Sequence, residues 1–146
     1  MDFKHFLIAE SAAMTDVNQT LGKIPKKHRA LFKGYKYVFE PNHTLNGDDD
    51  HIGFVDEENK TIKICAPWNY GREYTLLHEI AHGVWKYEVT KKEKKEWKKI
   101  VKNTKDKQNQ GAEELFAMAY ANAYAHRKIQ IHTHPKWEKF ITKIAH

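Results

Sequence analysis

Tyr74-Thr-Leu-Leu-His78-Glu79-Ile-Ala-His82-Gly-Val-Trp85 is the stretch on which the reading of this chain turns. With Leu76 set to zero on a helical wheel, Leu76, Leu77, Ile80, Ala81 and Val84 cover an arc of roughly 140°, while His78 and His82 fall at roughly 200–240°. The spacing predicts an amphipathic helix that buries its apolar arc and projects both histidines, four residues apart, from outside it. Two imidazoles placed one above the other can share a metal ion. Glu79, about 100° round the helix from His78, is positioned to bind the metal's water instead of the metal. Two neutral nitrogen ligands, an open position and a carboxylate base are what hydrolysis at zinc requires. With ten histidines in 146 residues, an H-E-x-x-H pentad arises by chance in roughly one such chain in twenty, so its surroundings must carry part of the weight.

A chain of 146 residues suits one compact domain, taken here as 1–146, and 40% hydrophobic residues with four Trp, seven Tyr and seven Phe mark a folded protein. The formal net charge is +6, with the positive charge concentrated between Lys86 and Lys107. There the lysines are interspersed with Glu88, Glu93, Glu96 and Asp106, the pattern of a solvated helix face with local ion pairs. No Arg-rich run or aromatic-basic interleaving marks a nucleic-acid groove, so nucleic acid is not an expected partner. Cys65 is the only cysteine, which excludes an internal disulfide; at the end of the run Thr61-Ile-Lys-Ile-Cys65 it reads as a small buried residue. The first residues, Met1-Asp-Phe-Lys-His-Phe-Leu-Ile-Ala-Glu10, lack the apolar run of a signal peptide, and no stretch is apolar enough to span a membrane. The expectation is a cytoplasmic monomer without membrane contact, non-classical secretion remaining compatible with the sequence.

Outward from the pentad, the order reads as helix, small sheet, active-site helix and further helices, an α+β arrangement. Residues 2 to about 20 have helical spacing, ended by Gly22 and Pro25, and a short basic turn or helix follows from Lys26 to Phe32. Tyr35 to Phe39 alternates as a strand. Glu40 to His51 reads as an exposed loop, its Asp48-Asp-Asp50 triplet lacking the glycine and distal glutamate of a calcium loop. Ile52-Gly-Phe-Val55, the turn Asp56 to Lys60 and Thr61 to Ile64 form a β-hairpin. Downstream, Thr90-Lys-Lys-Glu93 is a capping box for a helix with Trp97, Ile100 and Val101 inward. Ala112 to about Ile129 is helical, and Pro135 opens a last helix that buries Trp137, Phe140, Ile141 and Ile144.

A catalytic zinc takes three protein ligands, and the helix beginning Glu113-Glu114-Leu-Phe-Ala-Met-Ala-Tyr120 offers two carboxylates for the third. Ala117 and Ala121 would let this helix pack closely on the pentad helix, and Gly83 would give similar room there. Both glutamates also suit a helix's first turn, against its dipole. Wheel geometry alone does not choose between them.

Leu-Leu-His78-Glu79-Ile-Ala-His82-Gly, the Lys-rich helix, Ala-Glu113-Glu114-Leu-Phe-Ala-Met-Ala-Tyr120 and Pro135-Lys-Trp-Glu-Lys-Phe-Ile141 together resemble the catalytic domain of anthrax lethal factor and its relatives, the Pro-Pro endopeptidases. The resemblance follows element order over roughly residues 50 to 144 and is specific around the two motifs. It implies a zincin-like metalloprotease domain and a zinc-dependent endopeptidase. Its E-[aromatic]-F-A setting of the ligand glutamate corresponds to Glu114-Leu-Phe-Ala117, with Leu115 in the aromatic position, which implies zinc held by His78, His82 and Glu114 with Glu79 as base. The family's tyrosine ahead of the ligand glutamate has no counterpart in Lys105-Asp-Lys-Gln-Asn-Gln-Gly111. Tyr70, Tyr120, Tyr124, His132 and His134 are the candidate oxyanion donors in its place.

A peptide or protein substrate is the expected partner, added as a strand to the exposed edge of the hairpin, Thr61 to Ile64. Two competing expectations remain. The missing tyrosine is compatible with a catalytically weak or silent zincin-like domain that binds or regulates a partner. Repressor-cleaving peptidases of the ImmA/IrrE type also combine H-E-x-x-H with a helical downstream acid, but set that acid further ahead of a Phe-Ala pair than Glu114 stands.

Overall fold

A computed structural model describes residues 17–39, 53–64, 71–102, 111–126 and 134–144. Residues 17–23 are helical (α1), followed by α2 (Lys26–Ala30), β1 (Lys36–Phe39), β2 (Gly53–Asp56), β3 (Thr61–Ile64), α3 (Gly71–Tyr87), α4 (Lys91–Val101), α5 (Ala112–Tyr124) and α6 (Pro135–Ile144). The protein is mixed α+β, mostly helical with one small three-stranded sheet. The expected 40–51 loop, Cys65, Tyr70 and His132 lie outside the described residues, as does the expected first helix before residue 17.

The hairpin forms as its sequence predicts. Asp56 turns the chain by accepting hydrogen bonds from the Asn59 backbone N–H at 3.1 Å and from its side-chain Nδ2 at 2.8 Å. Lys60 completes the turn with φ 47°, before β2 and β3 pair antiparallel. The expected edge position of Thr61 to Ile64 is not borne out. Strand order is β1-β3-β2, with β1 parallel to β3, so β3 is the central strand and both its edges are occupied. Ile62 and Ile64 are fully buried between its partly buried neighbours. A strand covered on one face alternates in the same way at the centre of a sheet as at its edge, which is why the Thr-Ile-Lys-Ile pattern does not distinguish the two.

Helix α3 buries the apolar arc foreseen for it: Leu76, Leu77, Ile80, Ala81 and Val84 are each at most 2% exposed. Its main partner is α5, whose Ala117 and Ala121 are fully buried, and it also touches β2 and β3. Gly83 has a different role from the one expected. A side chain there would meet the ring of Phe32 at 2.5 Å, so the space is filled from the turn after α2 and not by α5.

Thr90 and Glu93 form the reciprocal capping box at the start of α4. Trp97 and Val101 of α4 and Trp137, Phe140, Ile141 and Ile144 of α6 are buried as foreseen, Ile100 only partly. Helix α5 stops at Tyr124, short of the expected 129. Ala125 is extended (φ −70°, ψ 142°), and the backbone N–H of His126 donates to the Glu73 carboxylate instead of continuing the helical ladder. Glu73 also pairs with Lys23 at 2.7 Å, tying the start of α3 to α1 and to the end of α5.

A buried polar contact joins α2 to α5: His28, 1% exposed, shares a hydrogen bond between its Nδ1 and the Tyr120 hydroxyl at 2.9 Å. Burial, with a smaller contribution from the Lys27 charge, lowers the His28 pKa to about 4. A histidine free in the unfolded chain titrates near 6.5, so between about pH 6.5 and 4 the unfolded state binds the extra proton and stability falls with pH. The loss accumulates to roughly 3 kcal/mol at the acid end of that window and is absent above it. Denaturant midpoints measured from pH 7.5 to 4 are expected to show this slope in the wild type and to lose it in His28→Phe; parallel slopes would contradict the assignment.

Candidate metal centre

Helix α3 presents His78 and His82 on adjacent turns, with ring centroids 5.2 Å apart and an interplanar angle of 71°. Their side chains keep 12% and 24% exposure, whereas the rest of that stretch is mostly core. His78, Glu79 and His82 form a group whose ligand atoms lie within 4.8 Å of one another and can hold a metal ion.

The packing of α5 on α3 brings the first turn of α5 against this face. Glu114 reaches both histidines at once: Oε2 lies 3.1 Å from His78 Nε2, and Oε1 lies 3.0 Å from His82 Nε2. Glu113 takes the other side of the second ring, its Oε2 being 2.7 Å from His82 Nδ1. The two adjacent glutamates, which the wheel could not tell apart, therefore stand in different places. One converges with both Nε2 atoms; the other supports one ring from behind.

The electrostatics follow from these contacts. Burial alone would depress the His82 pKa, but hydrogen bonds to Glu114 and then Glu113, with the charges of Glu114 and Glu79, outweigh it and raise the value to about 9. Hydrogen bonds from His78 and then His82 hold the Glu114 carboxyl well below the usual carboxylate range, against the opposing effect of burial. His78 is less supported: its Nδ1 is buried with no hydrogen-bond partner among the described residues.

Glu79 is 7% exposed, its side chain packed against β2 while a carboxylate oxygen stays within the same 4.8 Å group as the two histidines. A side chain built at Gly53 would lie 3.1 Å from Glu79 Cγ. This neighbour was not anticipated from the sequence, where the glycine of Ile52-Gly-Phe-Val55 reads only as a strand residue.

Three of the candidate oxyanion donors, Tyr120, Tyr124 and His134, lie among the described residues. Tyr120 is fully buried with its hydroxyl on His28. Tyr124 lies ten residues beyond Glu114 on the same helix, about 15 Å along its axis. His134 precedes α6 with its ring 4.1 Å from that of Trp137, and Trp137 in turn packs on Trp97. Compared with models of protein families, with curated proteins and with solved structures, the chain gives no match.

Proposed function

We propose that this protein is a zinc-dependent endopeptidase with a zincin-like fold, in which His78, His82 and Glu114 hold zinc and Glu79 is the general base. The observation that carries the reading is the convergence of both Nε2 atoms on the two oxygens of one carboxylate, at 3.1 and 3.0 Å. Zinc bonds of about 2.0–2.1 Å in tetrahedral geometry place neighbouring ligand atoms about 3.3 Å apart, close to that spacing. Two imidazoles and a carboxylate are also a donor set that catalytic zinc takes, leaving a position open.

When bound, zinc supplies Lewis-acid polarisation of a carbonyl and lowers the pKa of its water towards about 7. Glu79 then takes the proton from the attacking water and delivers it to the leaving amine. Its place on α3, one residue after His78 and beside β2, suits a base, with Glu114, which reaches both Nε2 atoms, as the third ligand. Glu113 fixes the His82 tautomer: with its acceptor on Nδ1, the proton stays there and Nε2 is free for the metal. The substrate peptide would add to β2, because β2 is the strand beside Glu79 and pairs, among the described residues, only with β3.

Cleavage of a mixed peptide library, abolished by a zinc chelator and restored by added zinc, is the expected result. Intact peptides with stoichiometric zinc present would instead favour a silent metal-binding domain. That second reading draws support from Tyr120, whose hydroxyl is taken up by His28, and from Tyr124, about 15 Å along α5 from Glu114. In either case Glu113→Gln is expected to weaken zinc binding roughly 10- to 100-fold, measured by chelator competition. An unchanged affinity would show that the 2.7 Å contact to His82 has no part in holding the site.

A further inference from the structure

We infer that Gly53 is a positioning residue for Glu79: the missing side chain lets the β2 main chain lie directly against the Glu79 side chain and holds its carboxylate in one pose. The kinetic consequence rests on the peptidase reading above; the contact itself does not.

Glycine is disfavoured inside a strand and marks either a special backbone conformation or a close approach by another group. Gly53 does not have the first reason. Among the described residues the only glycine with positive φ is Gly34, at 83°, and nothing lies within 4 Å of a side chain built there. Gly22 and Gly111 also face open space, and Gly83 faces the Phe32 ring. At Gly53 a Cβ would lie 2.9 Å from the Lys63 carbonyl oxygen, 3.1 Å from Glu79 Cγ and 3.4 Å from Glu79 Cδ. The Lys63 carbonyl is backbone of the neighbouring strand, paired in register, and cannot move aside alone.

Glu79 has little freedom to yield. It is 7% exposed, and its helix neighbours Ile80 and Ala81 are fully buried. Any side chain at position 53 must therefore push the Glu79 methylenes or lift β2 off α3. In both cases the carboxylate loses its place relative to the histidines and to a peptide on the β2 edge. A displacement of this kind acts on turnover and not on the metal, because the atoms nearest the missing Cβ belong to Lys63 and Glu79 and not to His78, His82 or Glu114.

The test is a double-mutant cycle in thermal stability combined with kinetics on the zinc-loaded full chain. Gly53→Ala is expected to lower Tm in the wild type and to lower it clearly less in the Glu79→Ala background, where Cγ and Cδ are gone and the Lys63 contact remains. Equal losses in the two backgrounds would overturn the contact. Gly53→Ala should keep stoichiometric zinc at unchanged affinity, leave KM near the wild-type value and reduce kcat roughly 10- to 100-fold. An unchanged kcat in the folded, zinc-loaded variant would overturn the positioning role. Should Gly53→Ala fail to fold alone, recovery of folding in Gly53→Ala/Glu79→Ala supports the inference, and failure of the pair as well overturns it. A wild type that cleaves no peptide would remove the peptidase reading, and the stability cycle would then decide the Gly53–Glu79 contact by itself.

Discussion

Glu79→Gln is expected to retain zinc and to lower kcat by roughly 10²- to 10⁴-fold, the range that a positioned general base contributes. Glutamine has the same shape, so the close packing against Gly53 is kept and any loss cannot be assigned to a shift of β2. What changes is chemistry: an amide does not accept the proton of the attacking water. The substitution also separates two roles for the same side chain. Glu79 lies near enough to both histidines to be counted in one potential metal-binding group with them. A metal ligand replaced by an amide would release zinc, whereas a base replaced by an amide leaves it bound. Kinetics on a cleaved peptide, with zinc measured on the same sample, checks both at once. Turnover equal to the parent's would show that Glu79 is not the base, and loss of zinc would show that it is a ligand.

Trp97→Ala is expected to reduce folding stability by about 3–5 kcal/mol, a large part of what holds a domain of this size together. Trp97 is fully buried, and its ring meets Phe116, Trp137 and Phe140 at 5.9, 5.6 and 5.2 Å, joining α4 to α5 and α6. Its indole N–H donates to the Ala112 carbonyl oxygen at 2.8 Å. Ala112 immediately precedes Glu113 and Glu114, so this one side chain both fills the core and anchors the turn that carries the two carboxylates. Trp97→Phe keeps an aromatic ring and removes only that bond and part of the volume. It should therefore unfold at a denaturant midpoint much nearer the wild type, yet bind zinc more weakly than the wild type. Equal stability losses for the two variants would contradict the packing role, and wild-type zinc affinity in Trp97→Phe would contradict the anchor.

The features legible in the sequence are those written in local spacing. The apolar arc of α3, the Thr90–Glu93 capping box and the Pro135 start of α6 each follow from residues within eight positions of one another. The same holds for the Asp56–Lys60 turn, whose side-chain bond spans three residues. What could not be read depends on which elements come to lie together. The choice between Glu113 and Glu114 needs the rotation of α5 against α3, which no wheel of α5 alone contains. The central position of β3 needs β1, brought in from more than twenty residues away. His28 looks like one more basic residue in Lys26-Lys-His-Arg29, and only the packing of α2 on Tyr120 makes it a buried neutral group. The early stop of α5 has the same origin, in a carboxylate supplied by α3.

Zinc content is the most direct test of the central claim. Protein purified without added chelator, dialysed and analysed for metal is expected to hold one zinc per chain in the wild type and close to none in His78→Ala and in His82→Ala, with all three samples folded by circular dichroism. Stoichiometric zinc retained in both variants would contradict a site built on these two histidines.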